Sequence, residues 1–277
     1  MKVEEFDLSR TLECGQCFNF EKTGENEYIV VAYGRMLHVR QEKADLEFLN
    51  ASDEDINNIW IPYFDLYRDY KKINEEIIKA DPRLKEIIDK YNGIRILNQD
   101  FTETLISFII SQNKNITHIK QLIRNLSVSH GIYIGSFDGR RYYSFPELSE
   151  LEKISEEEFR DLKVGFRAPY LCDAVRRLSS GGITEQMLKG MTYEEAKEKL
   201  KTIKGVGDKV ANCVLLFSLG FRSAFPVDIW IKRVTEKMYG TDADAAAALF
   251  GRYGGYAQQY LFMYARENLQ FFTKKTK

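Results

Sequence analysis

The chain has 277 residues, 44% hydrophobic and 13% aromatic, with 40 lysines and arginines against 41 aspartates and glutamates. That apolar content supports one large core or two modest ones, and a net charge of −1 leaves any nucleic-acid contact to local basic patches. MKVEEFDLSR opens without an apolar leader, no run is apolar enough for a membrane span, and four cysteines make no disulfide scaffold. The expectation is a cytoplasmic, nucleoid-associated prokaryotic or archaeal monomer in a reducing setting.

Residues 1 to about 50 read as sheet. Tyr28 to Tyr33 and Met36 to Val39 are β-rich runs around Gly34-Arg35, a hairpin signal. A turn at Gly24-Glu25-Asn26 adds another antiparallel neighbour. The segment holding Cys14-Gly15-Gln16-Cys17 is read as strand. From Ala51 the pattern turns helical, with Ile56, Ile59, Trp60, Tyr63 and Phe64 at helical spacing. Asp81-Pro82 ends one helix and starts another.

The remainder reads as helices joined by short loops. TETLISFIISQNKN is apolar almost all round and fits a buried helix. Ser155 with Glu158 and Thr192 with Glu195 match the capping box. After Tyr239 two further helices are expected, split by Gly254-Gly255. The fold class is α+β: a small N-terminal antiparallel β-sheet domain with linking helices over 1–100, then a mostly helical domain over 101–277.

Residues 194–219 divide into helix, tight turn and helix. Ala196, Leu200 and Ile203 share one apolar face. Gly205 and Gly207 permit positive φ and close backbone approach, and Gly220 can end the second helix. The free N–H groups of Val206, Gly207 and Asp208 would receive a phosphate. This is a helix-hairpin-helix, a sequence-neutral grip on one DNA strand; a bare Gly-x-Gly turn between core helices is the other reading.

Lys209 begins the second helix, where the dipole disfavours a cation. A free lysine has a pKa of about 10.4 and is no nucleophile while protonated. The helix end and partial burial both favour the neutral amine; a lysine that snorkels into water is the alternative. Pro226-Val227-Asp228 follows directly. Asp228 fits a plain N-cap for the next helix, and the same fixed carboxylate could face Lys209 and stabilise an oxocarbenium ion. Amine, carboxylate and phosphate grip together suit attack at a deoxyribose C1′.

LKTIKGVGDKVANCVLLFSLG followed by FPVDIWIKR resembles the helix-hairpin-helix DNA glycosylases with the Gly/Pro-rich loop and aspartate. Within that superfamily the chain is similar to the 8-oxoguanine DNA glycosylases, through LECGQCFNF, LISFIISQNKNITHI, LKVGFRAPYL and GGYAQQYLF as well. The resemblance covers most of the chain and implies a bifunctional glycosylase and AP lyase acting on oxidised guanine in duplex DNA, with no catalytic cofactor and no metal. It implies Lys209 as the Schiff-base nucleophile and Asp228 as the stabiliser of the charged intermediate. Cys213 and Phe262 would flank the flipped base, Gln258 would bond its Watson–Crick edge, and the Gly15 carbonyl would accept from the N7–H that guanine lacks. Asn113 would fill the gap, Arg167 would contact the orphaned cytosine with Phe166 wedged beside it, and the Gly205-Val206-Gly207 turn would grip the backbone.

Two positions depart from the family. His118 stands where a second arginine is usual, which implies a weaker preference for cytosine opposite the lesion. Trp230 replaces a phosphate-side histidine. Taken singly, Phe262 fits a core aromatic, Cys213 a buried thiol, Asn113 a helix cap and Arg167 a partner for Asp161. One C-x-x-C is neither a zinc nor a redox site, and no cysteine follows Cys213 to hold an iron–sulfur cluster. A glycosylase for another damaged base and a non-catalytic DNA-binding module remain alternatives.

Overall fold

The computed structural model describes residues 1–268. Its first strands, β1 (Phe20–Gly24), β2 (Glu27–Ala32), β3 (Arg35–Glu42) and β4 (Asp45–Phe48), form a four-stranded antiparallel meander in sequence order. Ala32 pairs with Arg35, so Tyr33 and Gly34 make the turn. Both have positive φ, 50° and 70°, the geometry whose twist suits a two-residue hairpin. Gly24 pairs with Glu27, closing the second expected turn.

The helix α1 (Leu8–Glu13) precedes the sheet, and Asp7 caps it by accepting from the Arg10 N–H. The strand reading of Cys14 to Cys17 is therefore corrected: these residues form the turn that leaves α1. Leu8, Leu12, Val30, Leu37, Val39, Leu46, Trp60 and Phe64 build one core on the sheet. Around Ile56–Trp60 the expected helix opens into a π-helical turn.

The second core belongs to the helices. Asp81 ends α2 (Tyr70–Ala80) and accepts from the Arg83 N–H to start the turn into α3 (Lys85–Tyr91). Helix α4 (Phe101–Ser111) is buried on nearly every side, which is why its sequence shows so little amphipathic contrast. After α5 (Ile116–His130) comes a second hairpin, β5 (Tyr133–Phe137) with β6 (Arg140–Tyr143). The body is mostly helical as expected, and among the described residues this hairpin is the one element in it that the reading of helices joined by short loops did not contain.

Both capping boxes are present, at Ser155/Glu158 and Thr192/Glu195. Helices α6 (Ala168–Ser179), α7 (Tyr193–Lys201), α8 (Asp208–Phe217), α9 (Ile229–Tyr239), α10 (Ala243–Ala248) and α11 (Gly254–Glu267) follow, with further short helices at Leu148–Leu151, Glu156–Asp161 and Glu185–Lys189. Gly254 and Gly255 open α11 rather than lying between two helices. A Cβ on Gly255 would fall 2.2 Å from Leu216 Cδ1, so this helix start packs directly onto α8.

Candidate active site

The α7–α8 hairpin is shaped by packing beneath and openness above. Ala196, Leu200 and Ile203 are buried as expected. Gly205 has φ +79°, and a Cβ there would lie 2.2 Å from Tyr170 Cδ2; both facts demand glycine. Gly207 differs from the expectation. Its φ of −102° is open to any residue, and a Cβ would meet nothing within 4 Å. The Val206 N–H is also not free, because it donates to the Ile203 carbonyl at 3.0 Å. The outward donors begin at Gly207, ahead of the first bond of α8, from the Ala211 N–H to the Gly207 carbonyl. Lys197 and Lys201 pair with Asp208 at 3.4 and 3.2 Å, which concentrates cations at this mouth.

Lys209 sits in the first turn of α8, partly buried. Its ammonium group lies 4.9 Å from the centre of the Phe108 ring and acts on the Cys213 thiol one turn along. Burial pushes that thiol up to about 11, with Lys209 pulling it the other way, so Cys213 stays a protonated thiol at neutral pH. Asp228 caps α9, its Oδ1 accepting from the Trp230 and Ile231 N–H groups, both at 2.9 Å. Burial raises this carboxyl above its ordinary value, against those two bonds and the charge of Lys209. Among the described residues no direct ion pair joins Lys209 to Asp228. The carboxylate acts on the amine through space, leaving it unclaimed by a carboxylate.

Asn212, buried on α8, fixes the relation between hairpin and loop. Its Oδ1 accepts from the Tyr193 hydroxyl at 2.7 Å, and its Nδ2 donates to the Phe225 carbonyl. The loop is held from the other side by Gln258, whose Nε2 donates to the Pro226 carbonyl at 3.0 Å. Gln258 is 4% exposed and its Oε1 accepts from Gln259 Nε2. Its amide thus ties α11 to the segment that delivers Asp228.

Gly15 has φ +81°, and a Cβ there would lie 3.4 Å from Ile116 Cδ1 and 3.6 Å from Phe262 Cε1. The turn carrying Gly15 is pinned by fully buried Gln16. Gln16 Nε2 donates to the Thr11 and Arg95 carbonyls, both at 2.8 Å, and its Oε1 accepts from the Leu97 N–H at 2.9 Å. Sequence reading missed Gln16 and Asn212; a glutamine flanked by two cysteines and a lone asparagine in a greasy helix were the available signals. Cys14 is pushed up to about 11 by burial, which keeps the C-x-x-C thiols protonated.

A second cluster lies at the start of α5. Asn113 is exposed with φ +52°, a left-handed conformation asparagine tolerates. The cap of α5 is Asn115, accepting from the His118 N–H, so Asn113 has no capping task. His118 Nδ1 lies 3.4 Å from Lys114 Nζ, and that lysine, unforeseen from sequence, also feels the charge of Arg167. Phe166 is 50% exposed, as a wedge would be, but Arg167 is only 3% exposed. Its guanidinium rests 4.2 Å from the Phe166 ring centre and donates to the Val164 carbonyl. It is neither paired with Asp161 nor extended into solvent. Trp230 carries the Arg233 guanidinium 5.1 Å from its ring centre.

The family model of the 8-oxoguanine DNA glycosylase N-terminal domain matches residues 1–105. The chain is 33% identical to the N-glycosylase/DNA lyase OGG1 of Arabidopsis thaliana over 94% of its own length and 77% of that protein's. The chain belongs to the 8-oxoguanine DNA glycosylase family. It is 32% identical to the N-glycosylase/DNA lyase of Saccharomyces cerevisiae, covering 87% of this chain and 70% of the relative. The 8-oxoguanine glycosylase/lyase of Clostridium acetobutylicum, solved with dsDNA containing cytosine opposite 8-oxoG, superposes with a TM-score of 0.92. Its identity is 40%, over 96% of this chain and 94% of that one. In this family member the N-terminal sheet, the hairpin and the loop that ends at Asp228 form one continuous likeness.

Proposed function

We propose that the chain excises 8-oxoguanine from duplex DNA and then cleaves the abasic strand, in base excision repair. The observation that carries this reading is the setting of Lys209: an amine between a thiol and an aromatic ring, beside a capped carboxylate, at the mouth of a phosphate-gripping turn. The lesion nucleotide must leave the stack before C1′ can be reached. The Gly207-to-Lys209 N–H groups receive a phosphate, and Asn113 and Phe166 fill the space that the nucleotide vacates.

The base enters between Cys213 and Phe262. A protonated thiol suits that contact, because it brings no charge against the base. The Gly15 carbonyl accepts from N7–H of the oxidised base, and guanine leaves that acceptor unpaired, which costs about 1–3 kcal/mol. Gln258 exchanges a protein partner for the base edge. Lys209 Nζ attacks C1′ in its unprotonated form. The C1′–N9 bond breaks, its electron pair leaves with the base, and the base takes up a proton. Asp228 stabilises the positive charge on the sugar while that bond is broken. Loss of the second amine proton gives the imine as the C1′–O4′ bond breaks and O4′ takes up a proton, opening the sugar ring; removal of a C2′ proton then expels the 3′ phosphate.

A panel of damaged duplexes tests the assignment. Release is expected from 8-oxoguanine and not from 3-methyladenine or mispaired bases; the opposite pattern would reassign the substrate. With cytosine or adenine opposite the lesion, excision rates should differ by less than about a hundredfold, because the His118 imidazole lacks the guanidinium fork. A larger ratio would contradict that role for His118.

A further inference from the structure

A groove runs between β1, one face of α5 and the β5–β6 hairpin, and none of the lesion-site residues lines it. Five cations, Lys22, Lys120, Arg124, Arg140 and Arg141, face it with a single carboxylate, Glu21. Glu21 is already engaged: it pairs with Arg140, accepts from the Tyr142 hydroxyl at 3.0 Å and lies 3.9 Å from Arg124. Lys22 is drawn to Glu13 at 3.2 Å. Among the described residues Lys120 and Arg141 have no ion-pair partner.

Lys120 is the telling member. It is half-buried, with its ammonium group 3.5 Å from the centre of the Phe20 ring. A cation withdrawn from water onto a ring, with Glu13 and Glu21 acting on it only from beyond ion-pair distance, is desolvated without full compensation until an anion arrives. The groove also offers Tyr142 and Tyr143 beside Phe20, and the amides of Gln121 and Asn125. Ring faces, amides and unpaired cations together match a nucleotide: its base stacks and bonds through its edge, and its phosphate meets the cations. A duplex flank, which presents phosphates and hides base faces, would leave the rings unused.

We propose that this groove binds an unpaired nucleotide, its phosphate held by Lys120 and Arg141. The α5 face runs from Thr117 to Val128 along the groove, about 16 Å at the helical rise. That length exceeds one nucleotide and admits a short unpaired strand as well as a free mononucleotide. This inference does not depend on the excision chemistry.

The test uses the full chain saturated with duplex bearing a tetrahydrofuran abasic analogue, so that the lesion site is filled. A fluorescein-labelled oligothymidylate of about eight nucleotides, within single-strand site sizes, is titrated in and followed by anisotropy. Binding is expected. The Lys120→Gln/Arg141→Gln variant should weaken it by about tenfold or more, with melting temperature and 8-oxoguanine excision unchanged. Competition by dTMP would identify a free nucleotide as an occupant, and its failure would identify a strand; either supports the groove. Absence of binding, an unaltered affinity in the double variant, or equal competition by inorganic phosphate would overturn the proposal. Excision is read separately, so each reading can fail alone.

Discussion

At the residue scale, Asp228 carries two tasks that oppose each other. As the cap of α9 it stabilises the helix, yet its half-burial raises its pKa. A carboxyl raised in the fold contributes stability below its unfolded pKa and loses that contribution as pH rises through its folded value. At neutral pH the ionised form therefore costs stability, which fits a group kept charged for chemistry. Asp228→Asn retains a capping oxygen and removes the charge. It should melt a few degrees higher, while excision falls by about a hundredfold or more. Asp228→Ala, which also loses the cap, should melt below Asp228→Asn by an amount equivalent to about 1 kcal/mol. Thermal melts at neutral pH and single-turnover excision check both; a less stable Asn variant would contradict the assignment. The reach of sequence is visible here too. The cap at Asp228 and the Lys209–Cys213 spacing were legible because they are local. The folded-back pose of Arg167 was not, because it depends on where the Phe166 ring stands.

At the element scale, the hairpin separates two glycines that look alike in sequence. Gly205 is held by positive φ and by the Tyr170 ring, whereas Gly207 is held by neither. Gly205→Ala should cost about 2 kcal/mol or more in folding stability. Gly207→Ala should leave the melting curve within a degree or two of wild type and weaken DNA binding, since its new methyl projects where a phosphate would approach. Equal stability losses in chemical denaturation would refute the distinction. The β5–β6 hairpin had a readable signal. Asp138-Gly139 is a favoured two-residue turn, and both residues have positive φ. The flanking strands are short and none of their residues is fully buried, so no clean alternation announced them. Helix α1 was missed for a different reason: six residues give too little periodicity to outweigh the β-rich run that follows.

At the scale of the whole molecule, two cores meet across a polar seam. Gln16 and Arg95 cross it with buried side chains; Arg95 Nη1 donates to the Asp65 and Arg68 carbonyls at 2.8 and 3.0 Å. Farther along the seam Asn19 Nδ2 donates to Glu103 Oε1 at 3.3 Å. Burial, helped by nearby Asp100, pushes Glu103 up to about 8. Its stabilising contribution is full below the unfolded carboxyl pKa and disappears as pH rises through about 8. Stability should therefore decline from the ordinary carboxyl value of 4.5 up to about 8, where Glu103 ionises in the fold, and Glu103→Gln should flatten that decline. Urea denaturation across the window checks it, and an equal decline in the variant would rule the site out. Sheet first and helices after was legible from composition; the seam was not, because its partners lie far apart in sequence.

The most direct measurement is borohydride reduction of the protein with 8-oxoguanine duplex, followed by mass mapping of the cross-linked peptide. The account predicts a covalent adduct on Lys209, and a Lys209→Gln protein that still binds the duplex yet gives none. Base release by wild type without an adduct, or an adduct on another lysine, would contradict it.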